Sequence, residues 1–312
     1  MKAVLLANMG APVSEKGMKI FLKRMFSDKA IIYAPAFVRS IVSTIISNMR
    51  YKSSWKKYRM IGGSPLFASM DKAASELKVL LPDDYTVHSV YSYSQPFIQE
   101  FVSGLYHSGI KEITVISMYP QASFSTTGSV QTDIDKLKSK FPDIDFLFME
   151  EYFDNEHFIA FWTTQLIQKI KEKSYQKPYL LFSAHAIPQS FIKRGDLYVE
   201  KINASAKLIS ERLNLPYSVG YQSKIGNVEW TKPYTLDHLK ELHKQGIDQI
   251  IIVPLSFINE NLETKYDLDT EIIPYALNEI GIKDICRIKI PENDKNLIKM
   301  FYEFIIKHNE NN

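Results

Sequence analysis

Residues 5–12, Leu5-Leu-Ala-Asn-Met-Gly-Ala-Pro12, run from an apolar segment into a turn, and residues 181–188, Leu181-Phe-Ser-Ala-His-Ala-Ile-Pro188, do the same. A second matching pair follows in the same order, Ser108-Gly-Ile-Lys-Glu-Ile-Thr-Val-Ile116 and Gln245-Gly-Ile-Asp-Gln-Ile-Ile-Ile-Val253. Self-similarity on this scale reads as a duplicated unit. Around these anchors, runs rich in Val, Ile, Leu and Tyr alternate with helical patterns: Ala3–Ala7, Tyr85–Tyr91, Ile113–Met118, Asp145–Met149, Tyr179–Ser183, Tyr217–Tyr221, Gln249–Leu255 and Asp284–Ile288. Eight such strands, continuous in apolar character and separated by helices, predict an α/β chain with four parallel strands in each half. The expected domains are 1–152 and 153–312.

The halves differ in length. Between the matched motifs, 97 positions separate Pro12 from Gly109, whereas 58 separate Pro188 from Gly246. The first half therefore carries an insertion, placed at about 13–80. Within it Phe37, Val38, Ile41, Val42, Ile45, Ile46 and Met49 recur at helical spacing and form one apolar stripe. An inserted amphipathic helix without a counterpart in the second half is either a lid over an apolar ligand or a cover for the core.

Whole-chain properties narrow the classes. The 312 residues suffice for two domains, and 45% hydrophobic with 23% charged residues is ordinary globular composition. A net charge of +3 is too small to indicate a nucleic-acid partner. One cysteine, Cys286, allows no internal disulfide and no four-cysteine zinc or iron–sulfur site, which fits a reducing cytoplasm. The opening Met1-Lys-Ala-Val-Leu-Leu-Ala-Asn8 reads as a strand rather than a signal peptide. The stretch from Ile31 to Met49 is interrupted by Pro35 and Arg39 and has a polar side at Ser40, Ser43, Thr44 and Ser47, so no transmembrane helix is expected. Disorder is expected only in the tail from His308 to Asn312.

Ligands of doubly wound domains bind beyond the carboxyl ends of the strands. The segments there are polar: Asn8-Met-Gly-Ala-Pro12, the run from Tyr119 to Gly128, Ala184-His-Ala-Ile-Pro188, Gln222-Ser-Lys-Ile-Gly-Asn227, and the run from Ser256 to Thr264. Of seven histidines, His185 alone directly follows a predicted buried strand. Glu260 and Glu263 follow another. Acids also suit a helix start for electrostatic reasons, and that reading is stronger for Glu260. An imidazole and a carboxylate meeting at one edge suit a divalent metal or a proton-abstracting base, and two ligands alone suit a transferred ion. The turn Gly62-Gly-Ser-Pro65 offers Ser64 and backbone N–H groups. Phosphate-loop, dinucleotide-binding and nucleophile-elbow patterns are absent.

Seven ordered segments resemble the ferrochelatase family: Leu6-Ala-Asn-Met-Gly-Ala-Pro12, Ile61-Gly-Gly-Ser-Pro-Leu66, Met118 through Ser129, Ser183-Ala-His-Ala-Ile-Pro188, Gly195-Asp-Leu-Tyr198, Tyr221-Gln-Ser-Lys-Ile-Gly226 with Trp230, and Phe257 through Asp267. The resemblance implies two Rossmann-like domains of the chelatase fold and a lyase that inserts ferrous iron into protoporphyrin IX to form haem. It implies that His185 and Glu263 handle metal and protons, that Met9 lies near the macrocycle, and that Arg50, Ser64 and Tyr119 line the porphyrin site. It implies that the stripe from Phe37 to Met49 is a hydrophobic lip touching a membrane surface, and that the enzyme is cytoplasmic or peripherally membrane-associated. Iron enters as a substrate, and no permanently bound cofactor or iron–sulfur cluster is expected.

The chemistry suits the residues. A free porphyrin carries two N–H protons in a crowded hole, so a base must remove them as iron enters. Neutral His185 is suited to that role, with Glu263 holding iron or passing protons toward Asp267 and Glu271. The sequence departs from the family pattern at Glu260-Asn261, where many members have Asp-His, and at Ser92, where many have Arg. Arg50 or Lys52 is then the expected propionate partner. Coproporphyrin as substrate, another metal, or non-catalytic tetrapyrrole carriage stay open at this stage.

Overall fold

The computed structural model describes residues 1–310 apart from Ile225, Asn227 and Asn293, with side chains described to His308. Two members of the Gln222–Asn227 motif, Ile225 and Asn227, thus lie outside the described residues, as do Asn311 and Asn312 of the tail.

The chain divides into two compact units, Met1–Glu151 with the chain from Ile298 onward, and Tyr152–Leu297. In the first, β1 (Lys2–Asn8), β2 (Tyr85–Tyr91), β3 (Glu112–Ser117) and β4 (Asp145–Met149) form a parallel sheet in the order β2-β1-β3-β4. In the second, β5 (Tyr179–His185), β6 (Tyr217–Gln222), β7 (Gln249–Val253) and β8 (Asp284–Arg287) form another in the order β6-β5-β7-β8. The two orders are the same once each sheet is numbered from its own first strand, as the repeated motifs require. Parallel neighbours need long crossovers, and helices supply them. The central strands are buried on both faces, which is why they read as unbroken apolar runs.

Helices α1 (Glu15–Ser27), α2 (Ala36–Met60) and α3 (Leu66–Leu80) lie between β1 and β2. The corresponding crossover of the second unit holds a short turn, α7 (Gln189–Ile192), and one long helix, α8 (Tyr198–Leu213). The insertion is thus the pair α1 and α2, where one helix was expected. Ser14 caps α1 by accepting the Gly17 N–H at 3.0 Å. Gly62 and Gly63, both in the left-handed region, end α2, and the Gly63 N–H donates to the Tyr58 carbonyl at 2.8 Å. Helices α4 (Ile98–His107) and α5 (Thr127–Lys140) complete the first layer set, with Ile98, Val102, Val130, Ile134 and Leu137 packed against β1 and β3 residues.

The second unit adds α6 (Glu156–Lys173) and α9 (Thr235–Lys244), and after β7 a π-helical segment, Glu263–Ile272, continues through α10 (Ile273–Tyr275) into another, Ala276–Ile280. Its core gathers Leu181, Leu239, Ile250, Ile252, Leu268 and Ile285. The last helix, α11, runs from Lys295 to Glu310, so helix replaces the expected disorder from His308 to Glu310. Most of α11 groups with the first unit rather than with residues 153–297.

The stripe on α2 lies the opposite way from a core-covering helix. Ser43 and Ser47 are fully buried, while Phe37, Ile41, Ile45 and Met49 are 69%, 57%, 52% and 76% exposed. Small serines let α1 and α2 approach closely, and their hydroxyls are satisfied locally: Ser27 Oγ donates to Ser43 Oγ at 2.8 Å and Ser47 Oγ to the Thr44 carbonyl at 3.1 Å. Part of the expected polar side is therefore the packed side, and Phe37, Ile41, Ile45 and Met49 of the apolar stripe are presented outward while Val38, Val42 and Ile46 are half-buried. Among the described residues no helix is long and apolar enough to cross a membrane.

Candidate active site

His185 is the last residue of β5, half-buried at the carboxyl edge of the second sheet. Its backbone N–H donates to Ser256 Oγ at 2.9 Å, and its Nδ1 lies 2.7 Å from the Ala186 carbonyl. A carbonyl oxygen only accepts, so Nδ1 carries the ring proton and Nε2 of the neutral imidazole keeps its lone pair. Beneath the histidine, Ser183 Oγ donates to Gln222 Oε1 at 3.0 Å. Tyr198, at the start of α8, is buried nearby, and burial pushes its hydroxyl well above the ordinary tyrosine range.

Ser256 belongs to the segment leaving β7, and that segment leads to Glu263, the half-buried first residue of the π-helical stretch. Asn261 and Thr264 start the stretch reciprocally: the Thr264 N–H donates to Asn261 Oδ1 at 2.9 Å and the Asn261 N–H to Thr264 Oγ1 at 3.0 Å. Asp267 and Glu271 follow Glu263 at intervals of four, so all three acids share one side of the helix. Asp267 Oδ2 accepts from Ser223 Oγ at 2.6 Å. Ser223, just past β6, has φ 67°, a conformation that costs a non-glycine residue about 1–2 kcal/mol. The segment past β6 is thus bonded to the helix that bears Glu263, and the end of β5 to the segment that leads from β7 into it. π-Helical turns of this kind are rare and frequent at functional sites.

Glu260 has another occupation. Its Oε1 accepts from Arg287 Nη1 at 2.8 Å and the Ile290 N–H at 2.9 Å, and its Oε2 from Thr264 Oγ1 at 2.6 Å. The buried Arg287, not a helix dipole, explains this acid. Asp196 of the Gly195–Tyr198 motif also serves the fold, accepting the Tyr198 N–H at 3.0 Å.

The first unit repeats the arrangement with different side chains. Met9, aligned with His185 in the repeat, donates its backbone N–H to the Tyr119 hydroxyl at 2.7 Å, as His185 does to Ser256. Gly10 must follow: its φ is 85° and a Cβ there would lie 1.8 Å from Ser94 Oγ. Ser92 donates its N–H to the Asn8 carbonyl at 3.0 Å, and its buried hydroxyl has no hydrogen-bond partner among the described residues.

The structure therefore joins Met9 to Tyr119 at one sheet edge, and His185 to Ser256, on the segment that leads from β7 to Glu263, at the other. Arg50 and Ser64 sit on the insertion instead, Arg50 half-buried on α2 and Ser64 in the turn before α3, where its Oγ accepts the Leu66 N–H at 3.3 Å. A groove of about 500 Å³ beside the edge strand β2, lined by Phe67, Asp71, His88 and Phe101 among others, includes none of these residues. Sequence reasoning placed Ser223 and Ser256 in the polar segments beyond the strands without giving either a role, and missed Arg287. Arg287 was detectable as a charge at the carboxyl end of β8, on the functional edge. Among the described residues no three His, Cys, Asp or Glu side chains group to hold a metal ion.

Comparison with known proteins agrees with this architecture. A ferrochelatase from Sulfurihydrogenibium sp. (strain YO3AOP1) is 32% identical over 98% of both chains, and one from Aquifex aeolicus (strain VF5) is 32% identical over 92% of this chain and 93% of its own. One from Rickettsia bellii (strain OSU 85-389) is 37% identical over 86% of this chain and 77% of its own. Among solved structures, the sirohydrochlorin chelatase SirB from Bacillus subtilis subspecies spizizenii in complex with cobalt superposes with a TM-score of 0.60 at 10% identity, covering 100% of this chain and 97% of its own. SirB from Bacillus subtilis with Fe3+ gives a TM-score of 0.58 at 12% identity over 98% and 95%. These two are likenesses of fold. The sequence profile of the ferrochelatase family matches residues 1–309, and the chain belongs to that family.

Proposed function

We propose that this chain is a ferrochelatase in activity as well as in family, inserting ferrous iron into protoporphyrin IX with His185 and Glu263 as the residues that handle metal and protons. The observation that carries this reading is the 2.7 Å approach of His185 Nδ1 to the Ala186 carbonyl: that oxygen only accepts, so in the neutral ring Nε2 is left as a base at the strand edge. Glu263 supplies a carboxylate for the incoming ion, and Asp267 and Glu271 continue the acidic side of its helix away from that point. With only an imidazole and a carboxylate in the set, iron is held for transfer rather than kept, and no resident cofactor takes part. Met9 and Tyr119 are read as macrocycle contacts, Ser64 as a wall residue, and Arg50 as the propionate partner in place of an arginine at position 92.

The exposed stripe on α2 supports a lip that rests on a membrane surface and receives a poorly soluble porphyrin from it, with the enzyme otherwise in the cytoplasm. The direct test is an insertion assay of purified protein with ferrous iron and, in parallel, protoporphyrin and coproporphyrin. Faster turnover of protoporphyrin is expected. Preference for coproporphyrin would overturn the substrate assignment, and no insertion into either would overturn the activity.

A further inference from the structure

We propose that Arg287 is a positioning residue, which fixes the place of Glu263 by gripping Glu260, just before the π-helical segment, and Asp269, within it; this rests on the metal-handling reading of Glu263. Arg287 ends β8 with its side chain 2% exposed. Its Nε and Nη2 donate to the two oxygens of Asp269 at 2.8 and 2.6 Å, and its Nη1 to Glu260 at 2.8 Å and to the Ile288 carbonyl at 2.9 Å. Glu260 lies three residues before Glu263 and Asp269 six after, so one guanidinium holds both flanks. A fork-to-fork pair fixes direction as well as distance, which a lysine cannot do.

The segment needs such a restraint. Hydrogen bonds that skip five residues make a wider winding than the α-helix, and left alone the chain favours the tighter form. Tightening would turn each residue further about the axis, so Glu263 would rotate relative to Asp269. Holding Asp269 and Glu260 against one rigid strand end forbids that rotation. Two local features favour the same winding: Thr270 Oγ1 donates to the Lys265 carbonyl, five residues back, at 3.0 Å, and Pro274 has no N–H to offer a tighter turn. Simple stabilisation is a poor account of the cluster, because buried ion pairs add little net stability.

Asp269→Ala is the decisive variant, since the Asp269 side chain is 36% exposed and its loss leaves Arg287 paired with Glu260. The expected result is a folded protein whose kcat for iron insertion falls about 10- to 100-fold, the usual cost of losing a group that orients a metal ligand, with KM for porphyrin unchanged. Arg287→Lys should behave alike, and Asp269→Glu should recover most of the rate. Wild-type kcat in folded Asp269→Ala and Arg287→Lys would overturn the proposal. So would activity lost only in proportion to folded protein, or a failure of Asp269→Ala to fold. Glu263→Gln is measured in parallel: if it keeps wild-type kcat, the metal-handling reading fails, whereas if it is inactive and the clamp variants are not, the clamp alone fails.

Discussion

The outward face of α2 can be tested by the double substitution Phe37→Ser with Met49→Ser, which removes the two most exposed members of the stripe. Full burial of a side chain of this size is worth about 1.5–3 kcal/mol. With 69% of Phe37 and 76% of Met49 exposed, most of that is unrealised in the free protein and available to a membrane or an apolar ligand. The pair should therefore lower partitioning onto vesicles by about 2–4 kcal/mol, roughly 30- to 1,000-fold. The part already buried is small, so folding stability should drop by only about 1–2 kcal/mol. Vesicle co-sedimentation gives the first quantity and denaturant unfolding the second. KM for porphyrin supplied in vesicles should rise, while KM in detergent should change less. Unchanged partitioning, or a stability loss larger than the partitioning loss, would refute the lip and return the stripe to the core.

Other expectations are more local. His185→Ala should abolish iron insertion while porphyrin still binds, read by quenching of porphyrin fluorescence; equal loss of binding and turnover in a folded protein would refute a role in proton transfer. Glu263→Gln should also lose turnover, and a wild-type rate would remove it from the site. Burial holds the imidazoles of His88 and His238 below their ordinary value. The unfolded chain then takes up protons at about 6.5 while the folded chain resists until lower pH, so stability should decline as pH falls through that window. His88→Gln should flatten part of the decline in Tm without affecting turnover, and an unchanged Tm profile would refute it.

Strands were legible because burial on both faces leaves an unbroken apolar run, and the carboxyl ends of the sheets were legible because polar motifs follow those runs. The repeat gave four strands to each half through two short matches, and the sheets share one order as a duplicated unit must. Position in space was harder. Nothing in the helical pattern from Lys295 onward says which sheet it covers, and it groups with the first. Ser43 and Ser47 were expected on a solvent side because hydroxyls favour water, but hydrogen bonds to their own helix carbonyls let them pack inside. Glu260 and Arg287 are 27 residues apart, and the strand that brings them together carries no local sign of its partner. Glu263 could be picked out as an acid after a strand; the winding of its helix could not, since no residue pattern within the segment marks a ladder that skips five residues rather than the ordinary α-helical one.

The paired amides at Met9 and His185 have a consequence for how such a site changes. In both places the main chain is anchored through its own N–H to a hydroxyl, Tyr119 in one and Ser256 in the other. The side chain at that position takes no part in the anchor, so the socket tolerates a thioether as readily as an imidazole. A duplicated fold of this kind holds two interchangeable mounts: one is free to carry a base, the other to become an apolar contact, and neither change disturbs the strand that presents it.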